Sequence, residues 1–336
     1  MLYIDLPEEW YQAYIHWWKK RHDFSIQKEW LIFCTGVVPA ISSMVRKLTT
    51  PAEKVLIQTP VYNIFFNSIL NNGRQVLESP LLWDGQQYRI DFADLEYKLA
   101  DPQTSLMILC NPHNPVGKIW DKETLSRIGE LCEKYHVTVI SDEIHCDLTA
   151  PGCSYTPFAA VSEACRRISI TCIAPTKAFN LAGLQTAADE TLRHKVWRGL
   201  NTDEVAEPNV FAAEAAIAAF EYGEDWLDAL RAYIHDNKKA AAGYIEQYIP
   251  KAVLVPSDAT YLLWLDIGKI VGSAEGAAEF IRAKTGLYVS DGGQYGKVGD
   301  HFLRINAACP RKILLDGLQR LAEGLTAYEE RLTHLY

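Results

Sequence analysis

Apolar segments that alternate with amphipathic segments are the feature that most constrains the fold of this chain. Between residues 54 and 140, short runs rich in Val, Ile and Leu recur, and the run at 105–110 is apolar at nearly every position. Such a run has no polar face, so it fits a strand that is buried on both sides of a sheet. The segment 122–135 between two of these runs has helical periodicity. The pattern predicts an α/β fold with a mainly parallel sheet flanked by helices.

Polar motifs follow three of the predicted strands. They are NPHNPVG at residues 111–117, SDEIHCDL at 141–148 and IAPTKAFNLAGL, which begins at 173 inside the third apolar run. Ligands of a parallel sheet bind beyond the carboxyl ends of its strands. We therefore expect these motifs to meet in one binding site.

Lys177 lies among small and apolar residues, directly after an apolar run. An ammonium group is costly to bury, so burial favours the neutral amine. A positioned neutral amine can attack a carbonyl carbon. Taken alone, Lys177 fits a surface lysine in a loop more often than a nucleophile; the other motifs make it a candidate nucleophile.

The remaining polar residues have alternatives that the sequence leaves open. Asp142 fits either an N-cap or a buried acid that meets a positive partner. His145 is more often a satisfied core or loop histidine than a catalytic base, and a metal site that combines it with Asp142 and Asp147 is a minor alternative. Gly36 stands before a predicted helix at 37–48 and could expose N–H groups to a phosphate, although a single glycine more often marks a plain turn.

The order NPHNPVG, SDEIHCDL, APTKAFNLAGL and FLRINAACP resembles the fold-type I enzymes that depend on pyridoxal phosphate (PLP), in the aminotransferase class I/II group. SDEIH-x-DL, the lysine motif and EVAEPNVFA resemble the MalY/PatB branch of cystathionine β-lyase-type C–S lyases. The resemblance covers essentially the whole chain. It implies the PLP-dependent transferase fold type I, for which we expect an N-terminal helical segment at 1–30, a large PLP-binding domain at 31–225, and a linking helix with a smaller C-terminal α/β domain at 226–336.

The resemblance assigns roles around the PLP ring. Lys177 would anchor the cofactor covalently and move the α-proton of the substrate. Asp142 would pair with the pyridine nitrogen, and Asn114 would hydrogen-bond the phenolic oxygen beside the substrate. Tyr62 would stack on the ring, with a core tyrosine at a helix start as the alternative.

The resemblance also assigns the groups that hold the phosphate and the substrate. Backbone N–H groups and one hydroxyl would hold the phosphate: Gly36, Val37, Val38 and Thr176. Arg304 would clamp the α-carboxylate through a bidentate pair, with an exposed strand arginine as the alternative. Tyr3 would reach the phosphate of a partner subunit, which implies a homodimer with a shared active site.

These roles imply a PLP-dependent carbon–sulfur β-lyase. Its substrate would be L-cystathionine or a related cysteine thioether, and its products a thiol, pyruvate and ammonia. An aminotransferase acting on an L-amino acid is an alternative, because both reactions begin with loss of the α-proton. A third alternative is a relative that binds PLP and has weak activity or none.

Composition limits the partners and the compartment. The net charge of −9 argues against nucleic acid as a partner. No apolar run approaches the roughly 20 residues of a membrane span. The eight cysteines are scattered without a CxxC pair, which indicates a cytoplasmic, reduced protein without structural disulfides or a zinc site.

Two features depart from the family pattern. Family members usually carry an arm before the point that matches Tyr3, and this arm helps to cover the substrate pocket. After residues 184–188, a few residues of a central strand are missing relative to that pattern. The resemblance therefore implies that the chain as given has an open pocket and weak or no activity.

Overall fold

The computed structural model describes residues 6–179, 184–208 and 210–334. Its helices are α1 (Glu8–His22), α2 (Val37–Leu48), α3 (Ile64–Leu70), α4 (Phe92–Leu99), α5 (Lys122–Lys134), α6 (Phe158–Val161), α7 (Glu163–Ile168), α8 (Thr176–Phe179), α9 (Glu190–Thr202), α10 (Val210–Tyr222), α11 (Glu224–Tyr248), α12 (Ala274–Thr285) and α13 (Arg311–Thr333). Its strands are β1 (Leu31–Phe33), β2 (Lys54–Ile57), β3 (Gln75–Glu78), β4 (Leu82–Trp83), β5 (Tyr88–Arg89), β6 (Thr104–Cys110), β7 (Thr138–Asp142), β8 (Ser169–Ile173), β9 (Leu184–Ala187), β10 (Val253–Leu254), β11 (Leu262–Asp266), β12 (Ser290–Asp291) and β13 (Phe302–Asn306).

The central sheet confirms the predicted mainly parallel arrangement. Within the described residues it has seven strands in the order β1-β9-β8-β7-β6-β2-β3. Strands β3, β2, β6, β7 and β8 are parallel to their neighbours in this row, whereas β9 is antiparallel to both β8 and β1. In the register, Cys110 pairs with Asp142, and Asp142 pairs with Cys172. The carboxyl ends of β6, β7 and β8 are therefore level.

Side chains of the central strands alternate between two separate hydrophobic clusters. In β6, Leu106 and Ile108 belong to the cluster beneath α2 and α9, while Met107 and Leu109 belong to the cluster beneath α4, α5 and α6. All four are fully buried. Burial on both faces explains why the sequence of this strand shows no polar alternation.

Helix α1 packs by one apolar side. Trp10, Tyr14, Trp17 and Trp18 are buried in a cluster that also contains Phe220 of α10. Aromatic rings of this size bury a large apolar area each, so this cluster contributes much of the local stability. These contacts pack α1 against α10 and α11.

A second sheet of antiparallel strands, in the order β10-β11-β13-β12, packs against α11, α12 and α13. Its strand β13 carries Arg304. Strand β12 leaves no strand pattern in the sequence, because Ser290–Asp291 is too short and too polar. The predicted domain limits at 30 and 225 stay a prediction.

Local differences from the predicted elements have simple causes. Helix α3 begins at Ile64 rather than at Tyr62, and Val61 N–H just before it donates to the Tyr295 carbonyl. Strand β5 pairs with β4 in a separate hairpin. Strand β9 is short but present, since Leu184–Ala187 pairs on both sides. Among the residues described, no helix combines the length and apolar character needed to cross a membrane.

Candidate active site

A cavity of about 760 Å³ lies at the carboxyl edge of the central sheet. The loop after β6 brings Asn114 to it, β7 ends in it at Asp142, and the chain after β8 brings Lys177. These three side chains meet because the ends of the parallel strands are level. Helix α2 begins at another wall, and β13 of the small sheet closes a further side.

The cavity brings together every predicted site residue within the described part of the chain. They are Gly36, Val37, Val38, Tyr62, Asn114, Asp142, Thr176, Lys177 and Arg304. Tyr3 lies outside the described residues. The cavity wall also includes residues that the sequence did not single out as ligands: Cys110, His145, Tyr261 and Tyr288.

Asp142 is a buried acid at the end of a buried strand. Its side chain is 4% exposed, and its Oδ1 accepts a hydrogen bond from Ile144 N–H at 3.2 Å. Burial raises the pKa of Asp142 to about 7, although Ile144 N–H and the charge of Lys177 act in the opposite direction. The carboxylate therefore needs a further cationic partner to stay ionised in the cavity. This environment favours the positive-partner interpretation over a simple N-cap.

Lys177 stands in the short helix α8, with its side chain at the cavity wall. The sequence led us to expect an enclosed lysine, but Lys177 is half-buried. Lys177 lines the cavity, so part of its side chain is exposed there. Its amine is accordingly accessible to a molecule that enters the cavity.

Arg304 joins the small sheet to the loop after β6. Its Nη1 donates to Asn114 Oδ1 at 3.4 Å, and its guanidinium lies 4.7 Å from the centre of the Tyr295 ring. Arg304 is half-buried, which argues against the exposed strand arginine. A guanidinium held in this way still has donors left for a carboxylate.

The start of α2 offers free backbone donors to the cavity. No side chain caps this helix at Gly36, and the first bond inside the helix runs from Ala40 N–H to the Gly36 carbonyl. The N–H groups of Val37 and Val38 belong to the first turn, where a helix supplies no internal acceptor. Such donors, with the positive end of the helix dipole, suit a phosphate group.

His145 is the wall residue whose contribution the sequence analysis underrated. It is 3% exposed, and its Nδ1 has no hydrogen-bond partner in the structure. Burial lowers the pKa of His145 to about 3, with further lowering by Lys177 and Arg304, so the ring is neutral. The choice between a satisfied histidine and a catalytic base at His145 stays a prediction. In the sequence, the feature that could have placed His145 at the site is its position three residues after Asp142, the acid that ends β7.

The metal alternative that combines Asp142, His145 and Asp147 does not fit the geometry. Asp147 does not line the cavity with Asp142 and His145. Its Oδ1 instead accepts from Trp17 Nε1 at 3.1 Å and meets His22 Nε2 at 3.0 Å. The acid thus belongs to the contacts that hold α1, and the predicted trio is not assembled.

The pH dependence of stability tests the environment of Asp142. Because its pKa is raised, the native cofactor-free protein keeps a proton that the unfolded chain releases at lower pH. This contribution to stability is present at low pH and is lost as the pH rises through about 7. We expect the urea midpoint of wild type to fall more between pH 5 and pH 8 than that of Asp142→Asn. Equal slopes in the two proteins would contradict the raised pKa, since the other titrating groups are common to both.

The donor set of this cavity suits PLP. It combines an accessible amine at Lys177, a buried acid without a cationic group bonded to it at Asp142, and free helix N–H groups at Val37 and Val38. An aldehyde, a pyridine nitrogen and a phosphate are the matching groups of that cofactor.

The fold and this cavity define a PLP-type α/β enzyme, and the chain belongs to the aminotransferase class I and II family, whose model matches residues 1–321. It is 41% identical over 314 residues to cystathionine beta-lyase PatB of Bacillus subtilis, which covers 92% of this chain and 81% of PatB. It is 30% identical over 325 residues to protein MalY of Escherichia coli, with 95% and 83% covered. These relatives confirm the branch expected from the motifs.

Solved structures agree with this assignment. Cystalysin from Treponema denticola, whose structure contains PLP, superposes with a TM-score of 0.94 at 32% identity, covering 97% of this chain and 84% of cystalysin. A PLP-bound C–S lyase from Staphylococcus hominis, in complex with L-cycloserine, gives a TM-score of 0.90 at 32% identity, with 96% and 80% covered. The fold predicted from the motifs is therefore confirmed.

Proposed function

We propose that this protein is a PLP-dependent carbon–sulfur β-lyase that cleaves L-cystathionine or related cysteine thioethers to a thiol, pyruvate and ammonia. The observation that carries the proposal is the meeting of Lys177, Asp142, Asn114 and Arg304 in one cavity. The lyase names of the similar proteins support the choice of reaction. The cytoplasmic location expected from the sequence stays a prediction.

Bound PLP supplies an electron sink that stabilises negative charge at the substrate α-carbon. Asp142 would contribute a carboxylate that keeps the pyridine nitrogen protonated. Lys177 Nζ would anchor the cofactor and would take the α-proton of the substrate. Tyr62 lines the cavity and would stack on the pyridine ring. Val37 and Val38 N–H groups, with the Thr176 hydroxyl, would hold the phosphate.

Arg304 and Asn114 would bind different polar groups, one on the substrate and one on the cofactor. Because Asn114 Oδ1 accepts from Arg304, its Nδ2 is left to donate to the phenolic oxygen of the cofactor. The remaining guanidinium donors of Arg304 would bind the α-carboxylate. His145 lines the same cavity, with its Nδ1 unpartnered in the structure.

The reaction is tested with purified, PLP-loaded protein and L-cystathionine. We expect thiol and pyruvate to form in equal amounts without an added keto acid. An aminotransferase would instead need a keto acid as amino acceptor and would release no thiol. Amino transfer without thiol release would overturn the lyase proposal in favour of that alternative.

Arg304→Lys should raise KM for L-cystathionine by about ten- to a hundredfold. Lysine keeps the positive charge but loses the planar pair of donors and the contact to Asn114. The steady-state rate of thiol release over a range of substrate concentrations measures this change. Arg311→Lys is the control, because Arg311 starts α13 and does not line the cavity. A KM within twofold of wild type in Arg304→Lys would remove Arg304 from the carboxylate site.

We further propose a homodimer in which Tyr3 contributes to the site of the partner subunit. Exposed aromatic side chains on the described surface support an interface: Trp197 is 47% exposed, Tyr222 83% and Trp226 56%. Sedimentation velocity over a concentration series, with lyase assays at the same concentrations, tests this. We expect activity to decline as the dimer dissociates. A fully active monomer would contradict the shared site.

A further inference from the structure

The loop that carries Asn114 is held by a turn of the small sheet, residues 257–260. The Gly117 carbonyl accepts hydrogen bonds from Asp258 N–H and Ala259 N–H, each at 2.9 Å. Gly117 has a φ of +77°, and a Cβ at this position would lie 2.1 Å from Ser257 Oγ. Glycine is required here because a side chain would push the turn away.

The same turn contacts the segment that follows Asp142. Ala150 N–H donates to the Asp258 carbonyl at 2.7 Å, and Thr260 N–H donates to the Leu148 carbonyl at 2.8 Å. Directly after the turn, Tyr261 lines the cavity. One turn thus touches both strand-end loops and continues into the wall of the site.

Lys238 of α11 contacts this turn and does not line the cavity. Its Nζ donates to Ser257 Oγ and to the Ala259 carbonyl, both at 2.8 Å. Burial lowers the pKa of Lys238 to about 7, against the opposing effect of Asp258. A lysine that is costly to enclose and does not line the cavity has no part in the chemistry described above.

We infer that Lys238 is a positioning residue, which acts through the 257–260 turn to fix Asn114 against Arg304. The inference rests on the proposed function, in which these two residues contact the cofactor and the substrate. Loss of the ammonium would leave Ser257 and the Ala259 carbonyl without this donor and free the turn to shift. A misplacement of about 1 Å in a positioned group can cost about a hundredfold in rate.

Lys238→Met removes the donors and keeps an apolar stem. We expect kcat/KM for L-cystathionine to fall about tenfold or more, mainly through KM, because binding geometry is disturbed while Lys177 is retained. Lys238→Arg keeps a charged donor and should recover part of the loss. Lys239→Met, on the exposed neighbour in the same helix, should change neither constant.

Amide hydrogen exchange in the cofactor-free protein gives a readout that does not depend on the reaction. Exchange at residues 111–118 should quicken by about tenfold in Lys238→Met, with little change in global stability. Gly117→Ala should quicken the same amides by displacing Ser257, and it serves as the test if Lys238→Met does not fold.

The outcomes separate the two proposals. Local quickening with a raised KM supports the positioning role, whereas unchanged exchange at 111–118 overturns it. Quickening spread evenly over the whole chain also overturns it, because Lys238 would then be merely structural. Local quickening in a protein whose wild type lacks lyase activity would count against the proposed function and not against the contact from Lys238 to the turn.

Discussion

Lys177→Ala is expected to reduce thiol release from L-cystathionine by at least about three orders of magnitude. Among the described residues that line the cavity, Lys177 supplies the single primary amine. In the proposed mechanism, its loss would remove both the covalent anchor of the cofactor and the group that takes the α-proton. The measurement is the rate of thiol and pyruvate release by PLP-loaded protein, corrected for the amount of bound cofactor.

Lys195→Ala is the matched control, because Lys195 is an exposed lysine of α9 outside this cavity. It should keep the wild-type rate. Borohydride reduction of the loaded wild type, followed by peptide mapping, should place the cofactor on Lys177. Attachment to another lysine, or normal turnover in Lys177→Ala, would show that the anchor is elsewhere.

Asp142→Asn is expected to lower kcat by about two to three orders of magnitude while PLP still binds. The amide keeps the shape of the side chain but removes the negative charge beside the pyridine nitrogen. That nitrogen would then lose its proton, and charge at the α-carbon would lose its stabilisation. Thiol release and the absorption of bound cofactor are to be measured on the same samples.

Asp121→Asn controls for the chemical change alone. Asp121 caps α5 through Thr124 N–H and does not line the cavity, and asparagine is an equally good N-cap. Its activity should match wild type. Near-wild-type turnover in Asp142→Asn would mean that Asp142 serves as a local acceptor for Ile144 N–H and nothing more.

Much of the central sheet could be predicted because its strands are apolar on both faces. The runs that became β2, β6 and β8 are readable in sequence within a residue or two of their limits. The described site residues could also be predicted from the sequence, because Asn114, Asp142 and Lys177 stand in motifs that follow strands. Their individual roles still rest on the resemblance and on the tests above.

Other features depend on contacts between distant parts of the chain, which local patterns do not record. The contact from Gly117 to Asp258 joins residues more than a hundred positions apart, and nothing in NPHNPVG indicates its partner. The half-exposure of Lys177 depends on the cavity that it lines. The unpartnered Nδ1 of His145 is a property of the assembled wall, since a three-residue spacing alone does not tell which donors surround a ring.

The two-sided burial of β6 has a consequence for laboratory evolution of this enzyme. Neighbouring positions such as Leu106 and Met107 face different hydrophobic clusters, so a random change at either one disturbs a core. Libraries that aim at a new thioether are better concentrated on the lining residues beyond the strands, such as Tyr261 and Tyr288. We expect substitutions at these lining residues to change substrate selectivity without lowering the free energy of unfolding that the core provides.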